Sequence, residues 1–576
     1  MTPTPSANSD LPFRDGGFDT LPQALEYAAR GETGVNVYTA KGILTESATW
    51  AELASASKDL ARRLLHAGFQ PGERIALLAE SDLDFIKSFF ACQYAGLIPA
   101  PLPLPMPFAG KDSYLDHVRG MIESAGASAA FGPESLLDWL NQATETLDLR
   151  MIGVMAELPE APTDIPLPEV KREDLAYLQF SSGSTRFPLG IAVTQAALMA
   201  NADGMTRAGL GVRQGDRCVS WLPFYHDMGL VGFLLCPLVS QMTIDLLPTR
   251  AFARAPMMWL ELISRNKGTL SYSPTFGYEL CARRAETQTI TGLDLSGWRA
   301  AGLGGDMIRP KVTTAFAERF SPHGFDPKAF VPSYGMAEAT LALSFAPRGE
   351  GVRTDRVDTD VLEREHLAQA PAGGHGRQRD FVLCGPALPG HAIEIRNEAG
   401  AVLPERQVGR VFARGPSLMQ TYYGRPEETA RTLSDDGWLD TGDLGYFLDG
   451  QVVITGRAKD LMIINGRNVW PQDLEWTAEG GVPGLRSGDV AAFSVDHEAG
   501  EEIVVVVQRR AADPVAREAL REEISNLLRA RHGLDVKVVA APPHSLPQTS
   551  SGKLSRVKAK ALYLAGAFEI APNPAA

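Results

Sequence analysis

The residues best suited to chemistry in this chain of 576 residues stand at 178–191, in the run LQFSSGSTRFPLGI. Ser181, Ser182, Gly183, Ser184 and Thr185 directly follow an apolar strand, so the turn they form can aim backbone N–H groups and hydroxyls at one anion. That is the chemistry of a phosphate cradle. It is not a Walker A loop, and neither is Ser551-Gly552-Lys553, because Pro547 stands where that motif requires a glycine. Further runs gather polar, charged and glycine residues: WLPFYHDMGLVG at 221–232, AGLGGDMIRP at 301–310, PSYGMAEAT at 332–340, WLDTGDLGY at 438–446, ITGRAKDLMIINGRN at 454–468 and LPQTSSGKLSR at 546–556. Taken singly, each reads equally well as a turn, a solvated charge or a piece of core.

Taken together, in this order and at these spacings, the runs resemble the motif series of the acyl-adenylate-forming enzymes, the superfamily of acyl-CoA synthetases, luciferases and peptide-synthetase adenylation domains. The resemblance extends from about Thr49 to Lys553. In most of that superfamily the phosphate loop ends in a glycine and a lysine where this chain has Arg186 and Leu189. The arginine with loss of the lysine, the string SWLPFYHDMGL and an insertion at 349–379 look like the fatty acyl-AMP ligases. What this implies is ATP- and Mg²⁺-dependent activation of a fatty acid to acyl-AMP with release of pyrophosphate. The acyl group would then pass to the phosphopantetheine thiol of a holo acyl carrier protein in lipid, polyketide or nonribosomal-peptide synthesis, with coenzyme A disfavoured. An acyl- or aryl-CoA ligase is the alternative within the enzyme class. A non-catalytic acyl or nucleotide sensor is the alternative outside it, and joint retention of Lys553, Glu338, Asp443 and Arg457 argues against it.

The same resemblance assigns roles residue by residue. Attack of a carboxylate on the α-phosphorus brings anion to anion, so cations must neutralise the charge that spreads over the phosphoryl oxygens. Lys553, Arg457 and Glu338 are the expected catalytic residues together with His226, which is placed at the mouth of the acyl tunnel. Glu338 and Thr185 would hold Mg²⁺, an ion that takes few protein carboxylates and completes its shell with phosphates and water. Gly304, Gly305, Asp306, Ser333, Tyr334, Gly335, Met336, Ala337, Asp443 and Ile454 would join the serine-rich loop around the nucleotide, with Asp443 on the ribose and Tyr334 against adenine. Met228, Gly229, Leu230, Val231, Phe276, Gly277 and Tyr278 would line the acyl tunnel beside His226, and Lys459 would be the hinge. Leu303, Asp306 and Met307 depart from the commoner Asn, Glu and Pro in a segment that the resemblance puts between adenine and the acyl pocket, so they bear on substrate size, and Gly277 in place of a larger residue either widens the tunnel or relaxes packing.

The elements that must position these residues follow an αβ alternation. Thr49 and Glu52 form a capping box ahead of Leu53, Ala56, Leu60 and Leu64 on one helical face, and Gly68 closes that helix. A strand at 75–78, a helix at 84–95 and an extended segment at 97–101 follow. The fold class is therefore α/β, with mainly parallel sheets covered by helices. Near residue 456 the texture changes to strands at 490–495 and 503–508, a helix capped by Asp513 and ended at Gly533, and a strand at 536–539. We expect a large N-terminal domain at 1–456 and a small, mobile α+β domain at 457–576, with 349–379 as a surface loop holding one short helix.

Composition agrees with an enzyme of this size. The net charge of −14 repels nucleic-acid phosphates and anionic lipid. From Leu461 onward basic and acidic residues nearly balance, and 524–560 holds seven basic residues against one acid, Asp535. Five scattered cysteines give no disulfide framework and no zinc spacing. The first residues lack the features of a secretory signal, and the apolar stretch at 230–247 is broken by Pro237, Ser240, Gln241 and Asp245, so a cytoplasmic protein without stable membrane insertion is expected.

Overall fold

The computed structural model describes residues 11–105, 110–180, 188–373, 376–464, 467–497, 500–510, 513–549 and 552–568. Its largest sheet has eight strands, in the spatial order Ala342–Phe345, Phe330–Gly335, Ala300–Leu303, Leu270–Ser273, Arg217–Ser220, Thr243–Leu246, Gly34–Tyr38 and Leu44–Thr49. All pairings between Phe330–Gly335 and Gly34–Tyr38 are parallel, and only the two rim pairings are antiparallel. The inner strands are covered on both faces, which is why segments such as AAGL and TIDL are buried at every position. A second, wholly parallel sheet is ordered Ile98–Leu102, Arg74–Leu78, Ala129–Phe131, Met151–Gly153.

The helices form where their caps predict. The Thr49 hydroxyl accepts from Glu52 N at 3.1 Å while the Glu52 carboxylate accepts from Thr49 N at 2.8 Å, and the helix Trp50–His66 follows. Leu53, Leu60 and Leu64 are buried as expected, but Ala56 is only half-buried because the stripe runs through Ser57 and Ala61. The next helix, Leu83–Tyr94, starts one residue before the expected 84 because Asp82 caps it.

A four-stranded antiparallel sheet, Ala392–Arg396, Gly409–Arg414, Leu439–Leu448 and Gln451–Arg457, is an element that the αβ pattern did not suggest. Beyond it, strands Val490–His497, Gly500–Gln508 and Lys537–Ala541 form a separate sheet. The helix Pro514–His532, capped by Asp513 and ended at Gly533 (φ 64°), packs Leu520, Ile524 and Leu528 against Val505 and Val507.

The insertion differs from a loose surface loop. Strand Thr354–Asp358 pairs antiparallel with Gln378–Val382, and the helix Thr359–Glu365 lies between them in the chain. Glu363 is buried between the guanidinium groups of Arg377 and Arg467, the latter at 2.8 Å, while Arg379 meets Asp473 at 2.7 Å. Two of its buried charges, Glu363 and Arg379, are thus paired with residues 467–473, and burying them unpaired would be costly. All five cysteines are buried with free thiols. No helix among the described residues is long and apolar enough to cross a membrane.

Candidate active site

The carboxyl ends of the parallel strands open onto one crevice, the usual place for a ligand in an open α/β sheet. Strand Ala300–Leu303 delivers Gly304, Gly305 and Asp306 there, Phe330–Gly335 delivers Met336, Ala337 and Glu338, and Arg217–Ser220 leads to His226. Three adjoining cavities meet at this edge, of about 300, 220 and 410 Å³, and Lys553 lines all of them.

The second cavity is polar. Gly305, Asp306, Ser333, Tyr334, Gly335, Asp443, Ile454, Arg457 and Lys459 line it. The Tyr334 hydroxyl donates to Asp443 Oδ2 at 2.7 Å, and Arg457 Nε lies 3.4 Å from Asp443 Oδ1. Burial pushes the Asp443 carboxyl up, opposed by Arg457. Asp443 sits within strand Leu439–Leu448, next to Gly442 at φ 75° and close to a register shift at Leu444/Gly445. Close approach is built in on the other wall. A Cβ at Gly304 would come within 2.8 Å of Ser333 Oγ, and one at Gly305, already at φ 75°, would lie 3.3 Å from Met228 Cε and 3.9 Å from Lys553 Nζ.

Lys553 is presented by a tight turn in which Thr549 N donates to Lys553 O at 2.7 Å and Gly552 N to Thr549 O at 2.9 Å. Burial lowers the ammonium's affinity for its proton, and Asp306, Asp227 and Asp443 oppose that effect. Glu338 lies on the short turn Ala337–Ala339, and its Oε1 accepts from the Tyr422 hydroxyl at 2.9 Å. Burial pushes its carboxyl up. One carboxylate with an oxygen to spare, facing an anion-binding crevice, is a donor set that fits Mg²⁺ shared with phosphates; no cluster of three or more His, Cys, Asp or Glu occurs among the described residues. Ser181, Ser182, Gly183, Ser184, Thr185 and Arg186 lie outside the described residues. Their flanks, Phe180 and Leu189, line the first cavity.

His226 holds the N-cap position of the helix Asp227–Leu230, with Met228 N 3.3 Å from its Nδ1, and borders both the first and third cavities. Its Nδ1 is 2.5 Å from Asp227 Oδ1, and the same carboxylate accepts from Met228 N at 2.8 Å. Asp227 is a site residue that sequence reasoning missed. Burial would raise its carboxyl, but His226, Lys553 and the Met228 N–H together hold it below the ordinary value. Tyr422 was missed too, since nothing at its position signals that it reaches Glu338.

The apolar arm of the first cavity corrects the expected tunnel. His226 and Met228 line it, but Gly229, Leu230 and Val231 do not. Leu230 and Val231 are fully buried core, and a Cβ at Gly229 would strike Pro223 O at 2.1 Å. Gly277 does not widen the arm, because its missing Cβ would sit 2.0 Å from Ser273 Oγ. Tyr278 is wholly buried, donates to Gly302 O at 2.9 Å, and packs with Trp259, Trp298, Phe316 and Phe330. Phe276 lines the third cavity instead. Leu303 is core as well. The arm itself is made by Met205, Leu210, Phe233, Cys236, Tyr272, Leu341 and Phe345. Met205 and Phe233 come from two π-helical turns, Gly204–Gly209 and Val231–Leu235, a distortion common where a helix re-aims side chains at a ligand.

The profile of the AMP-binding enzyme family matches residues 28–423. A Caulobacter vibrioides protein named "Putative acyl-CoA synthetase" is 56% identical over 98% of this chain and 98% of its own. A medium-chain-fatty-acid–[acyl-carrier-protein] ligase of Moorena producens is 33% identical over 96% of both chains. A structure solved in a study of fatty acyl-adenylate ligases from E. coli and L. pneumophila superposes with a TM-score of 0.92 at 43% identity, covering 96% of this chain and all of that one.

Proposed function

The chain belongs to the AMP-binding enzyme family, and from that premise we propose that it activates a fatty acid as its acyl-AMP and hands the acyl group to the phosphopantetheine thiol of an acyl carrier protein. The observation that carries this reading is the position of Lys553, on the wall shared by an apolar arm and the polar compartment of Tyr334, Asp443 and Arg457. A carboxylate held at the mouth of the arm would face the α-phosphorus of a nucleotide in the polar compartment. One carboxylate oxygen bonds to that phosphorus as the bond to pyrophosphate breaks, and Lys553 offsets the charge common to both anions. Asp443 would accept from the ribose hydroxyls and Arg457 would bind ribose or phosphate oxygens. Thr185 and Glu338 would hold Mg²⁺, which when bound neutralises phosphate charge.

In this reading residues 457–576 act as a lid that pivots near Lys459 to exchange adenylation for transfer. The contacts of the insertion to Arg467 and Asp473 support a restricted pivot, which would disfavour coenzyme A. The basic stretch at 524–560 is a smaller docking surface than its composition suggests: Arg529 is paired with Asp535 at 2.7 Å, and Arg556 is buried against Glu475 and Asp460. A coenzyme A ligase is the second reading, favoured by the name of the 56% identical relative. The test is acid-dependent pyrophosphate release over a panel of fatty and aromatic acids, with the adenylate detected by mass spectrometry and coenzyme A or a holo-carrier as acceptor. Adenylate formed from fatty acids and thioester formed with the carrier support the proposal. Equal turnover with coenzyme A selects the second reading, and absence of the adenylate discards both.

A further inference from the structure

Resting on the transfer step just proposed, we infer that His226 and Asp227 are a base and its positioning residue for the acceptor thiol. The argument is geometric. His226 Nδ1 has two neighbours, Asp227 Oδ1 at 2.5 Å and Met228 N at 3.3 Å, but the Met228 N–H has the Asp227 carboxylate as its nearer acceptor at 2.8 Å, so the shorter contact assigns the proton of the neutral ring to Nδ1 and the lone pair to Nε2. Among the described residues no partner lies within hydrogen-bond reach of Nε2. The ring stands in the wall between the first cavity, where the adenylate would form, and the third, which puts it beside the carbonyl carbon that a thiol must reach.

The charged and titratable groups facing the pair come from every neighbouring element: Lys553 on the C-terminal turn, Asp306 after strand Ala300–Leu303, Glu338 and Arg457 across the first cavity, and Tyr177 and Tyr225 behind it. Lys553 is a poor candidate for the same task. In the proposed reaction it is the cation for adenylation, and Asp306, Asp227 and Asp443 face its ammonium as counter-charges.

An alkyl thiol is mostly protonated near neutrality. In the step inferred, the S–H proton goes to His226 Nε2, the sulfur electron pair forms the bond to the carbonyl carbon, and the carbonyl carbon–oxygen bond of the anhydride breaks with AMP taking the pair. Asp227 stabilises the imidazolium, which then returns its proton to solvent. Electrostatic support of this kind costs nothing at the moment of reaction, because Asp227 is already fixed by the Met228 N–H.

The experiment supplies purified acyl-adenylate to the full-length protein and measures thioester formation with two acceptors: pantetheine, an alkyl thiol, and an aryl thiol already ionised at neutral pH. His226→Ala and the similarly sized His226→Gln are expected to lose about 10²-fold with pantetheine, and Asp227→Asn about tenfold. With the ionised aryl thiol, which needs no base, all three should come within about threefold of wild type. Equal losses with both acceptors overturn the inference and assign the pair a purely steric part. Wild-type protein that forms the adenylate but no thioester with pantetheine or a holo-carrier overturns the transfer reading itself, and the base with it.

Discussion

At the scale of single residues, Lys553 carries the heaviest demand. Lys553→Ala should lower adenylate formation by about 10²-fold or more, the usual effect of removing one preorganised charge stabiliser, as measured by acid-dependent pyrophosphate release. Gly305→Ala tests the same point from the opposite wall. Its side chain would be strained at φ 75° and press on Met228 Cε at 3.3 Å beside Lys553, so adenylation should fall while the fold persists by circular dichroism. Tyr278→Ala should act on stability first: a loss of about 3 to 5 kcal/mol in denaturant unfolding, from an aromatic cluster that lines none of the three cavities. These contrasts mark how far residues could be read before the fold was known. Lys553, Glu338, Asp443 and His226 sit in motifs whose spacing is tied to chemistry, and they converge on one crevice. Tyr278 and Leu230 could not be separated from true cavity residues, because an apolar residue on a helix looks the same whether it faces a ligand or another helix.

Elements were legible where local rules decide them and illegible where tertiary contacts do. The capping box at Thr49 and the Asp513 to Gly533 helix needed only local chemistry. The π-helical turns that supply Met205 and Phe233 follow from packing across the molecule, so no periodicity announced the arm they build. Filling that arm is a direct test. Gly232→Leu would intrude on Leu341, 3.3 Å from the added Cβ, and should shift the preferred acid toward shorter chains in a panel assay. The helix Pro471–Gly481 carries a second test. Its Glu479 accepts from Arg309 across the cleft at 2.8 Å, and burial raises its carboxyl to about 7. A buried carboxyl held above its ordinary 4.5 favours the docked arrangement below 4.5 and loses that contribution as pH rises through about 7. Proteolysis across 457–470 should therefore quicken from pH 6 to 8 in wild type, and Glu479→Gln should flatten the trend.

For the whole molecule, the acidic charge sits on residues before Leu461, while the small C-terminal unit is close to neutral and tied to the rest by discrete ion pairs. If those ties limit the pivot, removing the insertion at 349–379 should raise coenzyme A turnover relative to carrier turnover, measured as the ratio of thioester products; an unchanged ratio would show that the insertion plays no part in acceptor choice. The placement of Lys553 has one more outcome. Because the cation and the partition between three chambers are the same side chain, withdrawing the turn that bears it strips the anhydride of its counter-charge in the same motion that admits bulk water. If the proposed pivot operates, opening becomes a race between the acceptor and hydrolysis. A protein built this way should squander adenylate whenever it swings wide without an acceptor present, and the rate of that leak would report how often it does so.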